Sequence, residues 1–386
     1  MMQLSAVPQA MIETSSAWLA RLAKPLYNTL KALCLDRHRE RTFTETVIFP
    51  AFSTLQHDAA GVDSLFQEAH GLDPNKTPAY ATNYVIVQTL RLMERHVGLG
   101  IELGLYPHWY DLSQAFWYRD FLLTALVNVQ NSIEKERMER KVLEFQVQFE
   151  HEEEERIAQL EQQSTQKNGA GGKKKKGKKQ KGPVSMPKTT SHAAIIEAIS
   201  KISPELFEDR IHYTTTTLHR SLCRGMVRLI AAAKQSGVLK DPPPSVTIFT
   251  THKMRFEKRF EVYCALPQPP HLSYDDYASG SDFSAVNNRD LIAAASDSFR
   301  SAKSAVDRLL EVILPNDTTT ASITENRTND DLFIPIRREE IMALAKVCVS
   351  NSLFLLKLET ASNGQSQNEK ASLAFNAHTG YCTVSI

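Results

Sequence analysis

Apolar residues recur along this chain mainly at helical spacing, and the resulting stripes lay out its architecture. Leu19, Leu22, Leu26, Leu30 and Leu33 fall on one face of an amphipathic helix, which Pro25 kinks or breaks by removing a backbone donor. Ile86, Leu90, Met93, Val97 and Ile101 mark another helix, ended by the break at Pro107. An aromatic-rich stretch follows, with Trp109, Tyr110, Phe116, Trp117, Tyr118 and Phe121, and its stripe continues through Leu122, Leu126, Val129 and Ile133. Met138, Val142, Phe145 and Phe149 extend it after a small phase shift, so the stretch is one very long helix or two joined by a slight break. Its polar end, Glu150 and Glu152 to Glu155, belongs in water at any helical phase.

Residues 162–190 lose the pattern. They hold glycines at 169, 171 and 172 and a run of seven lysines, Lys173, Lys174, Lys175, Lys176, Lys178, Lys179 and Lys181. Such a segment repels itself and offers no apolar surface to bury, so it is expected to stay disordered. Order returns with a helix over 191–200. A following helix has Ser203 as N-cap and Pro204 in its first turn, an apolar stripe of Leu218, Leu222, Met226 and Leu229, and Gly237 as terminator. Pro242, Pro243 and Pro244 then forbid helix.

From 254 to 262 the period changes. Met254, Phe256, Phe260 and Val262 alternate with Arg255, Glu257, Arg259 and Glu261, which reads as a half-buried strand, with a helix as runner-up because Phe256 and Phe260 are also four apart. The clearest helix spans 290–314, striped by Ile292, Ala295, Phe299, Ala302, Val306, Leu309 and Ile313. A polar loop, 316–331, leads to a shorter helix over about 338–349. Residues 353–358 and 381–386 are expected to pair as a terminal hairpin with a polar loop, 362–369, near its tip. No fixed-period repeat is evident, which argues against a regular solenoid. The expected fold is mainly α: an irregular multi-helix array with a few short β-strands near the C-terminus. Its expected parts are an N-terminal helical region, 1–161, a disordered linker, 162–190, and a C-terminal helical region, 191–386.

Composition narrows the class. With 42% hydrophobic residues in 386, the chain can bury the core of one large or two medium helical domains. A net charge of +1 gives no overall electrostatic bias. Residues 1–11 lack the basic and apolar regions of a secretory signal, and no apolar run is expected to be long enough to cross a bilayer. Cys34, Cys223, Cys264, Cys348 and Cys382 are scattered and form no zinc-type spacing, which points to reduced thiols and a cytoplasmic protein.

Candidate chemistry is sparse. Arg95-His96-Val97-Gly98-Leu99-Gly100 matches Arg-x-x-Gly-x-Gly, the pyrophosphate loop by which GCN5-type acetyltransferases hold acetyl-CoA. That loop needs a strand before it and a helix after it, so that glycines let backbone N–H groups reach the phosphates. Here helical period precedes the motif and only a short broken stretch follows, so a glycine-rich helix end is the expected reading. His212 and His219 share a spacing of seven but have no third ligand at suitable spacing, so no metal site is assigned. No nucleophile motif appears, and the glutamates near 150 are too charged to be buried as catalytic acids. The aromatic residues Trp109, Tyr110, Phe116, Trp117 and Tyr118 fit helix packing or, as interface anchors, a partner-binding surface. The lysine run fits a solvated loop, a nuclear import signal or a polyanion contact that weakens with salt.

Several blocks, taken in order, resemble the large auxiliary subunit family of the NatC N-terminal acetyltransferase. They are Lys24-Pro25-Leu26-Tyr27 through Leu30-Lys31 to Arg37-His38-Arg39-Glu40-Arg41; the long acidic helix before the polylysine loop; Leu222-Cys223-Arg224-Gly225-Met226; Met254 to Phe260 before Pro267-Gln268-Pro269-Pro270-His271; Ala294 through Phe299 to Lys303; and Phe375-Asn376-Ala377-His378 with Tyr381. The likeness is to the C-terminal portion of the family, so the family's N-terminal region is expected to be missing. The resemblance implies a non-catalytic scaffold without a cofactor or small-molecule substrate of its own and without membrane attachment. Its implied partners are a GCN5-type catalytic subunit, a small third subunit and the ribosome, whose RNA the lysine run would touch. The implied reaction, acetylation of nascent chains beginning with Met and a hydrophobic second residue, belongs to the catalytic subunit. The rival readings are an acetyltransferase built on Arg95 to Gly100 and a polyanion-binding adaptor built on the lysines.

Overall fold

In the computed structural model, the described residues are 37–71, 73, 79–168, 204–239, 246–313, 338–362, 372–376 and 380–385. In chain order the elements are α1 (Arg37–Phe43), a π-turn (Thr44–Ile48), α2 (Phe49–Ala69), α3 (Tyr80–Glu102), α4 (Trp109–Asn168), α5 (Pro204–Gln235), α6 (Val246–Phe260), a 3-10 turn (Glu261–Ala265), α7 (Tyr274–Gly280), α8 (Asn288–Ile313), α9 (Arg338–Ser362) and the strands β1 (Ser372–Asn376) and β2 (Tyr381–Ser385). The fold is mainly α, as the stripes predicted. The helix expected over 19–33, the helix over 191–200, the Ser203 cap of the helix after it, the lysine run, the three prolines and the loops at 316–331 and 363–369 lie outside the described residues.

The chain divides into two compact units, residues 1–129 with 214–386, and residues 130–213. In the second unit Arg137 Nη1 lies 2.7 Å from Asp209 Oδ2. That pair is partly exposed and contributes at most about 1 kcal/mol.

In the first unit, α2 and α3 form an antiparallel hairpin. Asp63 near the end of α2 accepts from the backbone N–H of Ala81 at 3.0 Å and Thr82 at 2.8 Å, satisfying two donors that the start of α3 leaves unpaired. Farther along, Gln56 Nε2 donates to Thr89 Oγ1 at 2.9 Å, and Phe49 meets His96 edge-on at 5.3 Å. Gln56 also brackets the backbone of Gln268, donating to its carbonyl at 3.1 Å and accepting from its N–H at 3.0 Å, which ties the proline-rich segment to this hairpin.

Helices α5 and α8 run antiparallel against one another. Arg228 Nη1 donates to Ala294 O and Ser298 Oγ, while Asn288 Nδ2 donates to Ser236 Oγ. Between these contacts Gly225 faces Phe299: a Cβ on Gly225 would stand 2.9 Å from the ring, whose side chain is fully buried. The glycine is there for close approach. Replacing it by alanine gains about 1 kcal/mol of helix propensity, but forcing an extra carbon into a packed core costs about 1–3 kcal/mol. Gly225→Ala is therefore expected to lower stability by up to about 2 kcal/mol, read as a lowered urea midpoint, and Phe299→Leu in the same chain should relieve part of the overpacking.

Three expectations are corrected. Residues 254–262 are not a strand: α6 and the 3-10 turn run through them. The buried positions are Phe256, Phe260 and Tyr263, spaced four and three, whereas Met254 is 63% exposed. Phe256 and Phe260 satisfied both periods, and Tyr263, which breaks the alternation, decided for helix. Likewise 353–358 is not a strand but the continuation of α9 to Ser362. Its run of leucines and phenylalanine is divided by the helix, Phe354 and Leu355 inward, Leu353 and Leu356 outward. A terminal hairpin does exist, but β2 pairs with β1, in the register Leu373↔Val384 and Phe375↔Cys382. Helix α4 is one continuous helix to Asn168, so residues 162–168, assigned to the linker from composition, belong to it.

Candidate protein-docking site

The acetyl-CoA-like motif is not a phosphate loop. Helix α3 runs without interruption from Tyr80 through Arg95, Gly98 and Gly100 to Glu102, so the backbone N–H groups of the motif are spent inside the helix. Arg95 Nε donates to the buried carboxylate of Glu40 at 2.9 Å. Gly98 is approached by the Arg119 guanidinium, and a Cβ on Gly100 would stand 2.8 Å from the buried Tyr106 ring. The glycines admit neighbouring side chains, not a pyrophosphate.

Around the motif lie two buried polar networks. In the first, His96 is 1% exposed and bridges Tyr263 and Glu45. Burial holds the Tyr263 hydroxyl well above its usual range, so it keeps its proton and donates to His96 Nδ1 at 2.6 Å. Nε2–H then donates to Glu45 Oε1 at 2.7 Å. This assigns a neutral ring, because desolvation pushes the His96 pKa down to about 4, although the Glu45 hydrogen bond opposes it. Arg41 Nη1 closes the network on His96 O at 2.6 Å. In the second, Arg119 lies beside Glu94, with Nε 2.6 Å from Oε1, and its guanidinium sits 4.7 Å above the Tyr381 ring. The Tyr381 hydroxyl contacts His219 Nδ1 at 2.9 Å, and desolvation lowers His219 to about 4 and raises the Cys223 thiol to about 12. The sealed, neutral His96 and the buried, inert Cys223 thiol are braces that tie helices together, inaccessible to a substrate. Among the described residues no group of three His, Cys, Asp or Glu side chains can hold a metal ion.

The five aromatic residues expected to anchor a partner are engaged within the chain. Phe116 and Tyr118 are fully buried, Phe116 stacked on Tyr381 at 5.9 Å and Tyr118 on Phe260 at 4.1 Å, which corrects their assignment to a surface. Trp109 carries Lys234 5.3 Å above its ring, Tyr110 stacks on His252 at 4.0 Å and accepts from Arg255 at 2.8 Å, and Trp117 meets Tyr277 edge-on at 5.5 Å. Lys173 to Lys181 lie outside the described residues.

An exposed apolar surface appears instead on α9, which sequence reasoning had cut short. Its inner face, Ile341, Leu344, Cys348, Leu355 and Leu358, is buried, and the helix packs on α8 and β2. Asn351, fully buried, locks that face: Nδ2 donates to Cys382 O at 3.0 Å and Oδ1 accepts from Val384 N at 3.1 Å. The outer face carries Met342, Val349, Leu353 and Leu356, exposed by 44, 46, 56 and 57%. With both faces apolar, an 18-residue window within Arg338–Thr360 reaches a mean hydropathy of 1.7, enough by length and composition alone to cross a membrane, contrary to the expectation from sequence, although 44% of that window is buried within the fold. The signal that would have found this surface is the second stripe, offset from the first and obscured by it.

Residues 1–384 match a family described as NAA35-like, TPR repeats. Over 244 residues the chain is 25% identical to a Drosophila melanogaster protein named N-alpha-acetyltransferase 35, NatC auxiliary subunit homolog, covering 58% of this chain and 26% of that one. Its fold is similar to a chain in the crystal structure of the apo NatC complex, with a TM-score of 0.50, 13% identity, and coverage of 91% of this chain and 45% of that chain. A chain in the NatC complex bound to Gag peptide and CoA gives 0.48, 14%, 91% and 45%. The chain thus spans about a quarter of the curated relative and under half of the solved chains. Antiparallel helix pairs recur here, but their unequal lengths, 21 and 23 residues in α2 and α3 against 32 and 26 in α5 and α8, hide any fixed sequence period.

Proposed function

Because this chain belongs to the NAA35-like family, we propose that it is a non-catalytic scaffold subunit of a NatC N-terminal acetyltransferase, which holds and orders a GCN5-type catalytic subunit. The observation that carries the reading is the exposed apolar seam of α9, held on a helix whose opposite face is locked by Asn351: a rigid surface suited to a protein partner. The helical path of the Arg95 to Gly100 segment supports assigning the acetyl-CoA chemistry to the partner. On this reading the complex modifies nascent chains that start with Met and a hydrophobic residue, includes a small third subunit, and works in the cytoplasm beside the ribosome.

Co-expression with the catalytic subunit, followed by size-exclusion chromatography, is the test. The two chains are expected to elute together, and titration calorimetry of the isolated chain with acetyl-CoA is expected to show no heat of binding. Micromolar acetyl-CoA binding by this chain alone defeats the reading. Deleting residues 173–181 should leave assembly intact but weaken ribosome co-sedimentation, more steeply as salt rises, because lysine–phosphate contacts release counterions. Unchanged sedimentation after that deletion rules out the ribosome contact.

A further inference from the structure

The fold treats the two outer edges of its sheet differently. The sheet has two strands, so each strand has one edge without a neighbouring strand. On β2 that edge is closed. Asn351 of α9 donates from Nδ2 to Cys382 O at 3.0 Å and accepts at Oδ1 from Val384 N at 3.1 Å. Its buried side-chain amide stands where the peptide group of a third strand would. This fixes which backbone groups face which way, because the N–H and C=O of one residue point to the same side of an antiparallel strand and the side alternates along it. With Cys382 and Val384 turned to Asn351, residues 381, 383 and 385 are turned to β1, where their register partners are Asn376, Ala374 and Ser372. Leu373 and Phe375 therefore direct their backbone N–H and C=O groups away from β2, and among the described residues no third strand meets them.

An open edge pairs with another strand unless charge, proline or a bulge protects it. Ser372-Leu373-Ala374-Phe375-Asn376 has no charged residue and no proline, and its register with β2 has no bulge. Its residue types also read alike in both directions: polar, apolar, small, apolar, polar. A two-fold axis through Ala374 sets Leu373 opposite Phe375 of a second copy, and Phe375 opposite Leu373, each pair exchanging two backbone hydrogen bonds. Ala374 meets Ala374 at the central pair, where no hydrogen bond is made and the Cα atoms come within about 4.5 Å, and Ser372 meets Asn376. Like residue types thus face one another at every step, with no charges opposed across the axis. A shift of two residues leaves only one hydrogen-bonded pair within the strands and sets Ala374 against Asn376 or Ser372.

We propose that the outer edge of β1 is a strand-addition site and that a second copy of this chain occupies it, giving a continuous four-stranded antiparallel sheet across a two-fold axis. A pair of five-residue strands makes a small interface, so the association is weak and concentration-dependent.

The test uses the full chain. In analytical ultracentrifugation its weight-average mass is expected to rise from 43.4 kDa toward twice that value between ~1 and ~300 µM. Ala374→Lys and Ala374→Glu each set like charges against one another across the axis, and each is expected to remain monomeric over that range. An equimolar mixture of the two is expected to dimerise again. A cross-link reads the register independently. With Cys34→Ser and Cys264→Ser in the same chain, Ala374→Cys is expected to form a disulfide-linked dimer under oxidised glutathione, because about 4.5 Å between Cα atoms lies within the span of a disulfide. Ser372→Cys lies about 14 Å along the strands from its counterpart and is expected to link at least tenfold less. A constant monomer mass up to the highest concentration overturns the proposal, as does equal cross-linking at the two positions. If Ala374→Lys leaves the mass of the isolated chain unchanged but lowers recovery of the catalytic subunit, the edge receives a strand of that subunit and the proposal is also overturned. The scaffold reading is decided separately, by whether the unaltered chain recovers the catalytic subunit.

Discussion

Replacing Arg119 by methionine is expected to cost about 3–5 kcal/mol, the range for removing one partner of a buried ion pair. Arg119 is 5% exposed and threads between α3 and β2. It is joined to Glu94 through Nε and Nη2, and its guanidinium covers the Tyr381 ring. Burial works to raise the Glu94 carboxyl, but the Arg119 charge and hydrogen bond outweigh it and hold Glu94 below the usual carboxylate range. Methionine fills much of the volume and supplies no charge, so Glu94 is left ionised in a largely buried site, and β2 loses the cation that anchors Tyr381. Urea unfolding followed by tryptophan fluorescence measures the loss. The double variant Arg119→Met with Glu94→Leu should recover most of it, because an apolar pair of similar volume avoids both desolvation penalties. A single-variant loss under about 1 kcal/mol would falsify this account of the core.

Acid is expected to unfold the chain earlier than its carboxylates alone require. His96 and His219 each fall to about 4 from an ordinary 6.5, chiefly by desolvation. Between those values the unfolded chain binds protons that the folded chain excludes, so stability rises with pH there and is lost as pH falls from about 6.5 to about 4. At about 1.4 kcal/mol per pKa unit, His96 alone accounts for roughly 3 kcal/mol across that window. Glu94 and Glu45 have depressed pKa values, so their contribution is present above the unfolded carboxylate value and is lost at still lower pH. Urea midpoints at half-unit steps from pH 7.5 to 4 should fall steeply below 6.5. His96→Gln keeps a neutral polar group in the site and should flatten that slope by about one proton, and an unchanged slope would show that His96 is already protonated in the fold.

The candidate site was only half legible in advance. The glycines of the Arg95 to Gly100 segment were readable as a helix end, but not their purpose, since Arg119 and Tyr106 reach them from α4 and the loop before it. Gly225 and Phe299 stood out in separate family-like blocks, and only packing revealed that one makes room for the other. The aromatic run around Trp117 carried signals for both core and interface, because burying a large ring stabilises either, and the fold used Phe116 and Tyr118 as core.

What sequence alone determined is the local layer. The helices α3, α5 and α8 follow from stripes such as Ile292, Ala295, Phe299, Ala302, Val306 and Leu309, all of which are buried, because a single amphipathic face records its own burial at a fixed period. Tertiary structure decided the rest. Residues 254–260 satisfied two periods at once, and the ring cluster around Tyr118 and Tyr263 selected helix. Residues 338–362 are apolar on two faces, so their pattern specified no single side. Contacts with α8 and the Asn351 link to β2 chose the inner face, and that choice left Met342, Val349, Leu353 and Leu356 outside. A surface of this kind is invisible to periodicity because it is defined by what does not pack against it, and only the placement of distant segments settles that.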